Sequence, residues 1–314
     1  ELRWTSRTTY SDPEPALGTV SAAYYGRRAL GKVVVGNFST RFGQGLVAWS
    51  GFSMSGYSSA ESFSRKASGL GVTGAAGAEH LGIGTDWALG PYRLSAACDV
   101  GMEGSVLNLS RNWKRLSAGV TAGMRAASVD WRLSFRDGSF FGEAAVSYRG
   151  LPSAVAGLQW VPRYGRKLSL LARWYELDAK QYSGVAAGFD SPSLLLSADS
   201  GIRRDKLSWQ HKLLCILRPT LAIGAFSLKP SVRVSARLRP SDKSPLRCDL
   251  RPELKASIGG YSLECRYNAL WCRGFGSLAY MGGGYDGEKL DVRLRGGVFR
   301  IDNWDDRIYV YEHD

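Results

Sequence analysis

The chain has 314 residues, with 41 Lys and Arg against 28 Asp and Glu, a formal net charge of +13 and a pI near 9.6. No stretch approaches the roughly 20-residue apolar run of a membrane-crossing helix. Cys98, Cys215, Cys248, Cys265 and Cys272 are odd in number and too scattered for a disulfide framework. The basic balance instead implies an anionic neighbour: nucleic acid, lipid head groups, lipopolysaccharide or an acidic solute.

In chain order, Glu1–Arg7 reads as a strand and Ser11–Pro15 as a turn, followed by strands at Thr19–Tyr25 and Lys32–Phe38 around the basic turn Gly26–Gly31. Arg41–Trp49 reads as a strand holding a charge, Gln44 and the glycines Gly43 and Gly45, which leave room on one face. Gly51–Ala78, rich in Ser and Gly with Arg65 and Lys66 near its middle, reads as a long loop or an inward-folded segment. From Glu79 the spacing becomes regular. Strands are expected at Glu79–Ala88, Tyr92–Val100, Leu116–Met124, Ser128–Arg136, Ser139–Tyr148, Ser153–Val161 and Leu168–Tyr175, with Asp137–Gly138 a hairpin signal. The second half continues with Gln181–Phe189, Ser193–Ser200, Lys206–Cys215, Thr220–Leu228, Ser231–Arg239, Arg247–Ile258, Ser262–Trp271, Gly274–Gly282 and Lys289–Phe299. Arg307–Tyr311 reads as the start of one more.

The clearest of these is Ser231–Arg239. Val232, Val234, Ala236 and Leu238 alternate with Ser231, Arg233, Ser235, Arg237 and Arg239, so one face is apolar and the other carries cations. Lys289–Arg295 and Tyr92–Val100 repeat the code. About 18 to 20 such strands joined by short turns describe an all-β chain forming one domain, a large antiparallel transmembrane β-barrel of an outer membrane. A mean hydropathy of -0.18 does not oppose this, because only every second residue of a barrel strand meets lipid. Trp87, Trp131, Trp160, Trp174, Trp209 and Trp271 each fall in an expected strand, as interfacial anchors do.

Charge is the main functional clue. Residues 201–260 hold thirteen Lys and Arg against four Asp and Glu. Arg233, Arg237 and Arg239, with Arg293 and Arg295 on a later strand, share the polar phase and are expected to line a lumen that attracts anions. The competing reading pairs them with carboxylates such as Asp99, Glu143, Glu264 and Asp291, sealing a narrow interior. Arg65, Lys66, Arg203, Arg204 and Lys206 are expected as loop cations, suited to lipopolysaccharide phosphates.

Catalytic chemistry finds little support. His80, His211 and His313 lie far apart, and the segment Gly51–Gly56 misses nucleophile-elbow spacing by one residue. Cys265 and Cys272 lack a second ligand pair at zinc spacing, and no phosphate-cradling glycine motif precedes a helix. No enzyme, metal or cofactor is therefore expected.

Two stretches carry a resemblance. Gly36-Asn37-Phe38, followed by Arg41-Phe42-Gly43-Gln44-Gly45-Leu46-Val47-Ala48-Trp49, resembles a signature of large outer-membrane proteins of the Bacteroidota, many of which carry a helix-hairpin-helix module of the competence-protein type before the barrel. Asp305-Asp306-Arg307-Ile308-Tyr309-Val310-Tyr311-Glu312-His313-Asp314 is similar to a run inside those barrels, followed there by further strands. The resemblance implies a barrel continuing past residue 314, and the charged ending reads as a truncation or cleavage. The chain starts at Glu1 without a signal-like segment, as a processed protein does. The helix-hairpin-helix module is absent here, so its DNA-binding residues have no counterpart. The function expected first is a scaffold barrel, its lumen narrow or plugged, in an envelope complex with other outer-membrane or periplasmic proteins; the alternative is a transport or translocation channel for an anionic substrate, DNA included.

Overall fold

The computed structural model describes residues 2–9, 12–50, 63–73, 80–163, 165–176, 181–204, 206–287 and 290–308, with side chains from residue 19 onward. Among these residues there are twenty-one strands, every described pairing is antiparallel, and no helix is long and apolar enough to cross a membrane. The chain falls into two compact units, one within 1–55, 63–160 and 171–182, the other within 161–170 and 183–308.

The first unit holds β1 (Leu2–Thr9), β2 (Asp12–Tyr25), β3 (Leu30–Arg41), β4 (Gly69–Val72), β5 (His80–Leu89), β6 (Tyr92–Asp99), β7 (Val106–Asn112), β8 (Leu116–Gly123), β9 (Ala126–Phe135) and β10 (Gly138–Ser147). Strands β11 (Pro152–Arg163) and β12 (Arg166–Tyr175) run through both units. The second unit continues with β13 (Tyr182–Asp190), β14 (Leu194–Arg203), β15 (Ser208–Leu217), β16 (Leu221–Ile223), β17 (Phe226–Leu238), β18 (Leu246–Ile258), β19 (Tyr261–Trp271), β20 (Phe275–Asp286) and β21 (Asp291–Ile301).

Pairing follows chain order with two exceptions. One edge of β3 is divided: Leu30–Phe38 pairs with β5, and Phe38–Arg41 pairs with β4. In the other, β16 forms a short hairpin with the start of β17, while β15 pairs with the later part of β17.

Within each unit the polarity of the two phases is inverted relative to a water-soluble sheet. Asp86, Ser95, Asn108, Thr121, Ser128 and Glu143 are buried, while Leu81, Ile83, Leu107, Leu109, Val120, Val129 and Val146 are exposed. In the second unit Val232, Val234 and Leu238 are 37%, 45% and 39% exposed, and Ser197, Asp199 and Asn268 are buried. Buried polar groups find partners across strands, as where the Asn108 side-chain amide donates to Thr121 Oγ1 at 2.9 Å. A small apolar cluster of Val34, Phe38, Phe42, Leu70 and Val106 forms where the chain after β3 folds back.

Several sequence expectations are corrected. Asp12–Pro15 belongs to β2 rather than a turn, since prolines are tolerated in the first residues of a strand. Arg41–Trp49 is not a strand. Gly43 (φ +57) and Gly45 (φ +92) take left-handed backbone that no strand allows, so the chain turns back and only Arg41 and Trp49 bridge. Part of Gly51–Ala78 is the strand β4; residues 51–62 and 74–78 lie outside the described residues. Strand β7 was not anticipated, and Thr220–Leu228 is broken at Gly224 (φ +59) into β16 and the start of β17. Arg307 and Ile308 are not in a strand, and 309–314 lie outside the described residues.

Candidate anion-attracting face

The alternation in β17 places Lys229, Ser231, Arg233, Ser235 and Arg237 on one phase. The hydrogen-bond register sets them directly opposite Lys255, Glu253, Arg251, Asp249 and Arg247 of β18. Three of these five pairs are cation against cation. On the other side, Arg237 stands opposite Lys212 of β15, so Lys212, Arg237 and Arg247 form one rung across three strands. Like charges directly opposite destabilise a sheet. For two charges about 5 Å apart the repulsion is ~1 kcal/mol in water and several-fold larger beside protein.

Carboxylates compensate this part of the face only in part: Asp249 and Glu253 flank Arg251 along β18, and Asp199 of β14 stands opposite Lys212. Among the described residues, Arg233, Arg237, Arg247 and Arg251 make no ion pair with Asp or Glu. Beside it lies a compensated zone. Arg266 Nε donates to Glu253 Oε2 at 2.6 Å and its Nη2 reaches Glu264 at 3.3 Å, while Lys255 lies 3.1 Å from Glu253. The Tyr280 hydroxyl donates to Glu264, and the guanidinium groups of Arg266 and Arg295 stand over its ring at 5.0 and 4.7 Å. Both readings of the polar phase are thus present, on adjacent strands.

The expected site residues are distributed as follows. Arg233 and Arg237 are together on the partly compensated face. Arg239 lies just past the end of β17 and pairs with Asp242 at 3.6 Å in the turn. Arg295 joins the compensated zone through Tyr280, and Arg293 pairs with Asp291 at 3.2 Å on β21, which is exposed throughout. Arg203 ends β14, and Arg204 and Lys206 occupy the turn to β15. The sequence reading missed Arg247 and Arg251 as partners of the arginine row, because register is not written in either strand alone.

Arg65 and Lys66 belong to a different arrangement in the first unit. The Arg65 guanidinium stands 5.3 Å over the Trp49 ring, and its backbone exchanges two 3.1 Å hydrogen bonds with the Gln44 side chain. Lys66 is exposed. The buried Glu143 of β10 accepts the backbone amides of Gln44 at 2.6 Å and Leu46 at 3.1 Å. Arg132 Nη2 donates to Ser64 Oγ at 2.7 Å and to the Arg65 carbonyl at 2.9 Å. The segments 42–50 and 63–68 therefore fold over the polar phase of β9 and β10. Glu143 serves a loop's amides here, in place of the cation expected for it.

The remaining chemical groups are sparse. Ser200 Oγ lies 2.9 Å from His211 Nδ1, and His80 Nδ1 lies 3.7 Å from Asp99. Among the described residues no cluster of three or more His, Cys, Asp or Glu could hold a metal ion. The five cysteines are free.

No family model and no curated protein matches the chain at a significant level. Among solved structures, the anion-selective porin from Comamonas acidovorans is similar at 12% identity and a TM-score of 0.34, over 65% of this chain and 80% of that one, a distance at which likeness supports no conclusion.

Proposed function

We propose that the chain spans an outer membrane as a β-barrel and conducts anionic solutes along the face built by β15, β17 and β18. The observation that carries this reading is the row of cross-strand cation pairs, Arg233 with Arg251 and Arg237 with Arg247, on the less exposed phase of strands whose other phase is apolar and open. A sheet that keeps such pairs with fewer carboxylates than cations beside them has a standing demand for anions. The membrane placement is supported by the inversion of polarity in both units, since in hydrocarbon the apolar phase must face outward. Lipid and lipopolysaccharide are then the surroundings, and an anionic substrate, nucleic acid among the candidates, is the cargo.

Planar-bilayer recording of the purified chain tests this. Anion-preferring conductance is expected, with the preference reversed in an Arg233→Glu/Arg237→Glu variant. Cation preference in the parent, or no change in the variant, refutes it.

A scaffold role in an envelope complex is the second reading, favoured by the loop tied to Glu143. A folded segment over the polar phase narrows whatever that phase surrounds. A chain that stays closed in bilayers and copurifies in fixed ratio with other envelope proteins supports this reading over conduction.

A further inference from the structure

The apolar phase of the second unit is not uniform. Across β14, β15 and β17 the register aligns Ala198 with Leu213 and Ala236, and Leu196 with Cys215 and Val234. The small side chains leave a groove of about 430 Å³ with an almost wholly apolar lining. Two residues further along the same phase, polarity appears. His211 stacks on Trp209 with ring centroids 5.9 Å apart and planes 5° from parallel, and Ser200 contacts the same imidazole at 2.9 Å. Trp209 is 50% exposed. Beyond it come Arg203 at the end of β14 and Arg204 and Lys206 in the turn.

Charge, then aromatic and hydroxyl groups, then an apolar groove follow one another along a single hairpin. That order is complementary to a lipid with an acidic head group. From Ala198 to Arg203 the strand advances about 17 Å, close to the length of an extended acyl chain. Tryptophan and a polar ring at the middle level suit the head-group boundary, and cations attract the phosphate.

We propose that this hairpin holds one phosphate-bearing lipid, its acyl chain in the groove at Ala198, Leu213 and Ala236 and its phosphate at Arg204 and Lys206. The inference rests on the apolar phase meeting lipid, and the test separates the two. The full chain is reconstituted into phosphatidylcholine vesicles containing a minor share of phosphatidylglycerol, floated, extracted in mild detergent and weighed by native mass spectrometry. One phosphatidylglycerol retained per chain is expected. Retention falls about tenfold in Arg204→Glu/Lys206→Glu, which removes the attraction, and in Ala198→Trp, which fills the groove. Leu213→Ser, on the exposed phase, serves as the second groove variant should Ala198→Trp fail to fold. Equal retention of both lipids, retention unchanged in the variants, or a second copy of the chain in place of lipid overturns the proposal. A chain that floats yet retains no lipid overturns it alone; a chain that does not float overturns the membrane reading with it.

Discussion

Gly43 lies against the carboxylate of Glu143, a residue one hundred positions later: a Cβ on Gly43 would stand 2.8 Å from Glu143 Oε2. Its φ of +57 adds a second reason for glycine. Gly43→Ala is expected to cost about 1–3 kcal/mol. Glu143→Ala leaves the Gln44 and Leu46 amides unpaired and costs about 2–4 kcal/mol. The double variant should cost less than the sum, because removing the carboxylate removes the clash. Urea unfolding of the four proteins in detergent measures this coupling; strict additivity refutes the contact.

Salt tests the arginine rows. Repulsion between Arg237 and Arg247 is screened as ionic strength rises. The thermal midpoint of the parent should therefore rise between low and moderate salt, and Arg233→Ser/Arg237→Ser should reduce that gain while raising the low-salt midpoint. A variant less stable than the parent at low salt would contradict the register.

Asp86 is 3% exposed and contacts Arg93 Nη2 at 2.7 Å and Lys32 Nζ at 3.5 Å, while the same ammonium donates to the Leu70 carbonyl of β4. Arg93 is half exposed, but Lys32 is largely shielded, so removing the carboxylate leaves its ammonium without a counter-ion. Asp86→Ala is expected to cost about 3 kcal/mol and to loosen β4, read as faster amide exchange at the backbone of residues 69–72. Protection unchanged in the variant would show that Lys32 does not tie these strands.

Asp306, in the one-turn 3-10 segment Trp304–Asp306, has a carboxylate buried against the turn between β19 and β20. Burial raises its pKa, but the amides of Gly274 and Arg273 and the Asn303 side chain outweigh that and hold it below the usual carboxylate value. The folded state therefore gains stability that is present above the unfolded value, about 3.9, and is lost as pH falls through the depressed folded value. Asp306→Asn should lower the midpoint at neutral pH and flatten its acid dependence. An unchanged acid limb refutes the assignment.

The alternation of Ser231–Arg239 was legible in the sequence because one strand suffices to show it, and the structure keeps Val232, Val234 and Leu238 exposed as that pattern requires. What those arginines face was not legible. Arg237 meets Arg247, yet a slip of two residues would set it against Asp249 and turn repulsion into a salt bridge. The fold-back after Arg41 was equally hidden. Gly43 and Gly45 sit in a run that reads as strand, and the group that bends it, Glu143, is remote in sequence. That residues 63–68 fold over β9 and β10 was half visible, through the length and composition of the segment they belong to, but not the capture of Ser64 and Arg65 by Arg132.

The rung of Lys212, Arg237 and Arg247 joins three segments that reach one another at different moments of assembly. Arg247 lies 10 positions from Arg237, across the turn at 239–245, whereas Lys212 lies 25 positions from it, so β18 zips along β17 before the longer β15–β17 closure is made. Electrostatic resistance is thus met early, at the end of the β17–β18 hairpin where Arg237 and Arg247 come together, and Asp199 opposite Lys212 eases the later seam. A polyanion present during refolding is expected to act as a template there, hastening that hairpin while leaving the β15 edge untouched.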